Sequence, residues 1–282
     1  MDTKEIEIVE KALTKAHKFL PGMTEGEIIV KQGEAFGSLD SDTDIKADSL
    51  IGEVITQVLA KEGACGRITV EGRHDDVVIH SHGDEKWYCV DPLDGSLNYR
   101  LRGDTLGLPF SSCITVLDCS FDAAFSNVIA AGVIDLRSGD LWLSSKDKRG
   151  KYWTTLNGEP SFTMQAKTLD IGSMIVIGEM YYPENRELLA KIFAGQKGWL
   201  RNPGSAAYEM ALVSSGQIAA YICDRQKQHE LGAAYALVKG AGGVAVDFEG
   251  RDIERLPYDF VSQNQIILAA NSSIAEQILE KI

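Results

Sequence analysis

Apolar residues recur at helical spacing near the start of the chain. Ile6, Val9, Leu13, Ala16 and Leu20 fall on one face, the period that appears when one stripe of an α-helix is buried. Pro21-Gly22 stops the run, so the pattern predicts a helix over 3–20. After a polar stretch rich in Gly, Ser and Asp (33–44), Leu50, Val54, Ile55, Val58 and Leu59 predict a second amphipathic helix over 46–61, ended by Gly63. The period then shortens. Runs at 67–71, 77–80 and 86–90 read as strands, and the last leads directly into DPLDGS. From 109 to 146 the segments SSCITVL, AAFSNVIAAGVID and DLWLSS are strand-like, with RSGD (137–140) and Asn157-Gly158 as hairpin turns. The first half therefore reads as two helices packed on a mostly antiparallel sheet.

The second half alternates. Strands are expected at 173–180, 218–223, 244–248 and 266–269, and helices at 184–194, 204–215, 230–239 and 272–281. Such alternation predicts a layered α/β half with a mixed sheet. No internal repeat or low-complexity linker interrupts the chain. A boundary, if present, falls near 160–172, giving halves of 1–165 and 166–282 that form one cooperative unit.

Composition narrows the partners. The 282 residues are 44% hydrophobic and 24% charged, as in an ordinary globular protein. A formal net charge of −13 argues against nucleic acid and against anionic membrane surfaces, which both require clustered Lys and Arg. No apolar run approaches the roughly 20 residues of a membrane span. The five cysteines (Cys65, Cys89, Cys113, Cys119, Cys223) contain no CxxC pair and suit reduced thiols in the cytoplasm. The acidic N-terminus does not resemble a signal peptide.

The strongest chemical signal is Asp91-Pro92-Leu93-Asp94-Gly95-Ser96. Pro92 pushes Asp91 into an extended conformation at the end of a strand, and Gly95 permits the sharp turn that brings Asp94 back towards it. With the Leu93 carbonyl, three oxygens converge, the donor type that hard divalent cations such as magnesium take. The Gly95 and Ser96 amides can then face an anion, especially where a helix starts. The plain alternative is an Asp-capped tight turn. A bound cation would also invert the sign of the site, so that even so acidic a chain could take an anion there.

Other acids stand in supporting positions. Asp48 heads the second helix, after Asp40, Asp42 and Asp44; Glu71 ends the strand-like RITVE; Glu230 begins ELGAAYALV. Taken singly, each is also explained as a helix cap, a solvated strand end or a first-turn acid. His74, His80 and His82 with Asp75 and Asp76 read as a polar surface hairpin rather than a metal cluster. Gly240-Ala241-Gly242-Gly243 follows a helix, as a helix stop does. No P-loop or GxSxG motif is present.

These residues resemble the inositol monophosphatase / fructose-1,6-bisphosphatase superfamily. DPLDGS is similar to its DPxDG[ST] signature, and HELGAAYALVKGAGG (229–243) to its WDxAAGxxxxxEAGG. GVIDLRSGDLW, LNGEP, GSAAYEMALVSSGQIAAYICD and ILAAN extend the likeness from about residue 40 to the end, and Asp224-Arg225 looks most like archaeal members that accept both substrates.

The resemblance implies an α+β fold, a layered α-β-α-β-α sandwich with an antiparallel N-terminal and a mixed C-terminal sheet, assembled as a homodimer. It implies that Glu71, Asp91, the Leu93 carbonyl, Asp94 and Glu230 hold two or three Mg2+ ions. Asp48 and Ser96, with Glu71, would position and deprotonate the attacking water. Asp94 and the Gly95 and Ser96 amides would hold phosphate, while Gly204, Ser205, Ala206, Asp224 and Arg225 would face the sugar. Three departures stand out: Glu71-Gly72 replaces the family's paired acids, Glu230 replaces Asp, and Cys223 occupies the position of an inositol-contacting Glu.

The implied reaction is hydrolysis of a small sugar or inositol phosphate by metal-activated water. Phosphate monoesters need up to about 10²¹-fold acceleration, far beyond the roughly 10²–10⁴ of side-chain acid–base help alone. A two-metal clamp supplies the remainder. The alternatives are a 3′-phosphoadenosine 5′-phosphate phosphatase and, in another class, a non-catalytic binding or regulatory protein of the same fold.

Overall fold

The structure, a computed structural model, describes residues 3–20, 46–73, 75–79, 85–100, 107–119, 122–169, 173–194 and 199–282. The acidic run Asp40, Asp42, Asp44 and the histidines His74, His80 and His82 lie outside the described residues.

The two expected helices are α1 (Thr3–Phe19) and α2 (Lys46–Lys61). They cover one face of an eight-stranded sheet: β1 (Gly66–Val70), β2 (Val77–Ile79), β3 (Lys86–Asp94), β4 (Ser111–Leu117), β5 (Val128–Asp135), β6 (Leu141–Lys146), β7 (Tyr152–Leu156) and β8 (Glu159–Pro160). The order is β2-β1-β3-β4-β5-β6-β7-β8. Both predicted hairpin turns form. Asn157 and Gly158 take φ of 53° and 84°, the left-handed pair that a tight β-hairpin demands.

One pairing departs from the antiparallel expectation. β1 and β3 run parallel, Gly66 opposite Lys86 through Val70 opposite Val90. β2 is short and half exposed, so it stays at the edge, while the buried β3 takes the inner side of β1. This crossover places Glu71 and Asp91 at equivalent ends of adjacent strands, and Glu71 N–H donates to the Val90 carbonyl at 2.9 Å.

The second sheet is mixed, as expected: β9 (Met174–Ile177), β10 (Trp199–Arg201), β11 (Ala220–Lys227), β12 (Val244–Val246) and β13 (Gln263–Ala269), in the order β10-β9-β11-β13-β12. β9 pairs in parallel with β10 and β11, and β13 is antiparallel to β11 and β12. β7 and β10 are additions to the sequence reading. Both are short, and β7 carries only two inward residues, Tyr152 and Thr154.

Three apolar clusters define the layers. Val9, Leu13, Ile51 and Ile55 from the first two helices pack on Val90, Ile114 and Ile134 of the first sheet. Between the sheets lie α5 (Ala206–Ser214) and α6 (Gln228–Gly240), whose Met210, Leu231 and Tyr235 pack with Phe125 and Trp142 on one side and Tyr221 and Leu268 on the other. A helix buried on every side has no polar face, and α6 is buried from Gln228 to Val238. Beyond the second sheet, α4 (Pro183–Phe193) and α7 (Ser272–Leu279) cover Ile175, Ile222 and Ile267 with Leu188, Ile192, Ile274 and Ile278. The layers are thus α-β-α-β-α.

All five cysteines are free thiols. Among the described residues no helix is long and apolar enough to cross a membrane.

Candidate active site

β3 does not end at the proline. It runs through Asp91 and Pro92 to Asp94, with a register irregularity against β4 between those two acids, and both carboxylates are buried. Asp91 Oδ1 accepts the Leu93 N–H at 3.0 Å, while its Oδ2 is buried with no hydrogen-bond partner among the described residues. Burial, reinforced by the charges of Glu71 and Asp94, pushes the Asp91 carboxyl well above its ordinary range.

Asp94 is held differently. Its Oδ2 accepts three donors, the Ser205 hydroxyl at 2.6 Å, the Ala207 N–H at 2.8 Å and the Ser111 hydroxyl at 3.1 Å. Oδ1 is thereby left to the acid cluster. Burial and then the Glu230 charge push this carboxyl up to about 6, against the lowering effect of those donors. Asn98, in the short helix α3 (Ser96–Arg100), donates to the carbonyls of Pro109 and Pro203 at 2.7 and 2.6 Å. It thereby fixes the loop before α5 against the turn at Gly95.

Glu71 and Glu230 close the cluster. Oxygens of Asp91, Asp94 and Glu230 lie within 4.8 Å of one another, and a second set of that size joins Glu71, Asp91 and a ring nitrogen of His229. Asp91 belongs to both. Glu230 Oε2 accepts Gln226 Nε2 at 2.5 Å, and Gln226 Oε1 accepts the Tyr221 hydroxyl, so a buried polar chain aims this side chain. Glu71 Oε1 lies 3.1 Å from His229 Nε2 and 3.5 Å from Lys227 Nζ. Burial would raise the Glu71 carboxyl, but the His229 and Lys227 charges hold it below its usual range.

The other predicted residues are placed as follows. Asp48 lies in the first turn of α2, one turn before Gly52, where a Cβ would lie 3.1 Å from Val70 and 3.5 Å from Pro92. That spacing puts Asp48 on the face towards the motif. Ser96 opens α3. Gly204 N–H donates to Glu209 Oε1 at 2.6 Å, and Ser205 and Ala206 lead into α5. Asp224 and Arg225 sit in the irregular step of β11. Asp224 N–H donates to Asn185 Oδ1 and its carboxylate accepts Gln265; Arg225 donates to Gln263 and stacks 4.2 Å over the Tyr182 ring. Neither is bonded to the acid cluster among the described residues. Cys223 is fully buried and cannot meet a sugar.

Sequence reasoning missed several participants. His229, Lys227, Gln226 and the buried Glu209 emerge only from the fold. So does Glu179, at φ 48°, whose carboxyl burial and the Glu230 charge push up to about 7. His229 alone carried a local signal, because it stands where the second motif has Trp.

Four crowded carboxylates, three of them buried and Glu71 partly exposed, repel one another, and a buried Asp91 oxygen lacks even a hydrogen bond among the described residues. A hard divalent cation satisfies both conditions, so the residues fit a metal centre.

A two-sheet α+β sandwich of this layering, with an acid cluster gathered from the ends of β1 and β3 and the first turn of α6, is the sugar-phosphatase type of fold. The sequence profile of the Inositol monophosphatase family matches residues 3–282, and the chain belongs to that family. It is similar to the inositol-1-monophosphatase of Aeropyrum pernix, 28% identical over 78% of each chain. It is also similar to the fructose-1,6-bisphosphatase/inositol-1-monophosphatase of Thermotoga maritima, 23% identical over 72% of this chain and 73% of that one. Among solved structures, the Thermotoga maritima IMPase superposes with a TM-score of 0.74 at 20% identity, covering 99% and 96% of the two chains. Membership places the chain among the hydrolases of this class.

Proposed function

We propose that the protein is a Mg2+-dependent phosphatase that hydrolyses the phosphate monoester of a small sugar or inositol, inositol-1-phosphate or fructose 1,6-bisphosphate or both. The observation that carries this reading is the convergence of Asp91, Asp94 and Glu230 oxygens within 4.8 Å, beside an Asp91 oxygen that nothing else satisfies.

In this reading Glu71, Asp91, the Leu93 carbonyl, Asp94 and Glu230 hold two or three Mg2+ ions. Bound divalent cations supply Lewis-acid polarisation of phosphoryl oxygens and a lowered pKa for water. Asp48 and Ser96 would orient the attacking water and take its proton as its oxygen bonds to phosphorus; the phosphorus–ester oxygen bond breaks, and the departing alkoxide takes a proton from water to leave as the alcohol. The Gly95 and Ser96 amides face the phosphate, and Gly204, Ser205, Ala206, Asp224 and Arg225 line the approach for the sugar. No covalent phosphoryl-enzyme forms, and trapping one would overturn this route.

The test is phosphate release from inositol-1-phosphate, fructose 1,6-bisphosphate and 3′-phosphoadenosine 5′-phosphate, with and without Mg2+. Mg2+-dependent turnover of either of the first two is expected. Turnover of the nucleotide alone would move the substrate class, and no turnover of any with Mg2+ bound would favour a binding protein.

A further inference from the structure

The acid cluster contains a donor that an all-oxygen magnesium site does not use. His229 Nε2 lies 3.1 Å from Glu71 Oε1 and 3.6 Å from Glu230 Oε1. The residue is 4% exposed, and among the described residues Nε2 makes no hydrogen bond: the carboxylates approach off the direction a ring N–H would take. A carboxylate oxygen of Asp91 lies within 4.8 Å of ligand atoms of Glu71 and His229, and Asp91 Oδ2 is likewise buried and unpartnered among the described residues. Two orphaned donors in one buried space point to a missing common partner.

The spacing agrees. Neighbouring ligands around a six-coordinate ion with bonds of about 2.1 Å are separated by about 3 Å, as Glu71 Oε1 and His229 Nε2 are. The ring is not free to turn away, because it packs on Phe260 with centroids 5.2 Å apart, and its own backbone carbonyl accepts the Cys113 thiol. A nitrogen donor changes which ion is preferred. Imidazole favours first-row transition cations, whereas carboxylates and carbonyls suit Mg2+.

We propose that the Glu71–Asp91 side of the centre is a nitrogen-containing site, closed by His229 Nε2, that selects a transition cation such as Mn2+ over Mg2+. The Asp91–Asp94–Glu230 side, all oxygen, remains the Mg2+ site. This rests on the metal-dependent reading above and assigns to one residue of this chain the choice of ion. In the metal-free chain Lys227, 3.5 Å from the Glu71 oxygen, and the protonated His229 ring neutralise Glu71, so ion binding on this side displaces Lys227 and releases the Nε2 proton to solvent.

The test uses the full metal-free chain, wild type and His229→Gln, titrated calorimetrically with Mn2+ and with Mg2+. In the wild type Mn2+ binds more tightly than Mg2+, and His229→Gln weakens Mn2+ by about tenfold or more while Mg2+ changes far less. An unchanged Mn2+ to Mg2+ affinity ratio in the variant overturns the proposal and leaves the phosphatase reading intact. Binding of neither ion by the wild type overturns both. Should the variant fail to fold, pulsed electron paramagnetic resonance of the wild type loaded with Mn2+ decides: coupling to an imidazole nitrogen is expected, and its absence sinks the proposal.

Discussion

The Ser205 hydroxyl donates to Asp94 Oδ2 at 2.6 Å across 111 residues of chain, tying the end of β3 to the start of α5. With the Ala207 N–H and the Ser111 hydroxyl on the same oxygen, it fixes which oxygen of Asp94 turns to the cluster. Partners of this kind set the orientation of a ligand, and removing one typically costs 10–100-fold in metal affinity, by about that order.

Ser205→Ala should therefore weaken Mg2+ binding by about tenfold while costing only about 1 kcal/mol of stability, since two donors to Asp94 remain. Calorimetric titration beside a urea melt separates the two effects. An unaltered Mg2+ affinity would show that Asp94 is oriented without Ser205.

Asp91→Asn should split stability from function. Burial and the neighbouring charges of Glu71 and Asp94 disfavour the Asp91 carboxylate in the metal-free fold, and a neutral side chain of the same shape removes that repulsion. The metal-free variant should melt at or above the wild-type temperature. The Mg2+-induced rise, equivalent to about 2.7 kcal/mol at a hundredfold excess over Kd, should vanish with turnover. A variant that still gains stability from Mg2+ would remove Asp91 from the centre.

Asp247 gives a pH-dependent prediction away from the site. Its Oδ1 accepts the N–H groups of Glu249 and Arg251 and its Oδ2 accepts Arg251 Nε at 2.7 Å, closing the turn after β12. Burial opposes ionisation here, but these donors and the Arg251 charge win and hold the carboxyl below its usual 3.8. A lowered carboxyl contributes stability that is complete above the unfolded value and lost as pH falls through the folded one. Asp247→Asn should cost about 1–2 kcal/mol at pH 7, with the gap to wild type narrowing below the unfolded value and closing once pH is below the folded one. Urea unfolding at both pH values measures it, and a gap that persists in acid would contradict the assignment.

What was legible in the sequence follows from range. The first two helices, both hairpin turns and the convergence of Asp91 with Asp94 depend on contacts within a few residues, so period and turn chemistry reveal them. The parallel pairing of β1 with β3 depends on which side of β1 the chain returns to, which no local pattern specifies. From its own segment Glu71 reads equally as a solvated strand end, and it is that register that puts it beside Asp91. His229 and Lys227 meet Glu71 across 158 and 156 residues, and Glu209 and Glu179 gain their meaning from burial against other acids. β10 is three residues long, too short for a period to show.

Gly95 tests whether the turn and the Ser205 contact are one device. Its φ is 82°, and a Cβ there would lie 3.0 Å from both the Gly204 carbonyl oxygen and the Ser205 Cβ. Gly95→Ala must therefore both adopt a left-handed conformation, at about 1–2 kcal/mol, and push the 204–205 segment away from Asp94. The second effect removes the same hydroxyl that Ser205→Ala deletes. The two substitutions should consequently be non-additive in Mg2+ affinity, the double variant losing little more than Gly95→Ala alone, whereas independent sites add within about 0.5 kcal/mol. Calorimetry on the four proteins of the cycle provides the measurement. Additive losses would mean that the turn acts on the metal centre by some route other than Ser205.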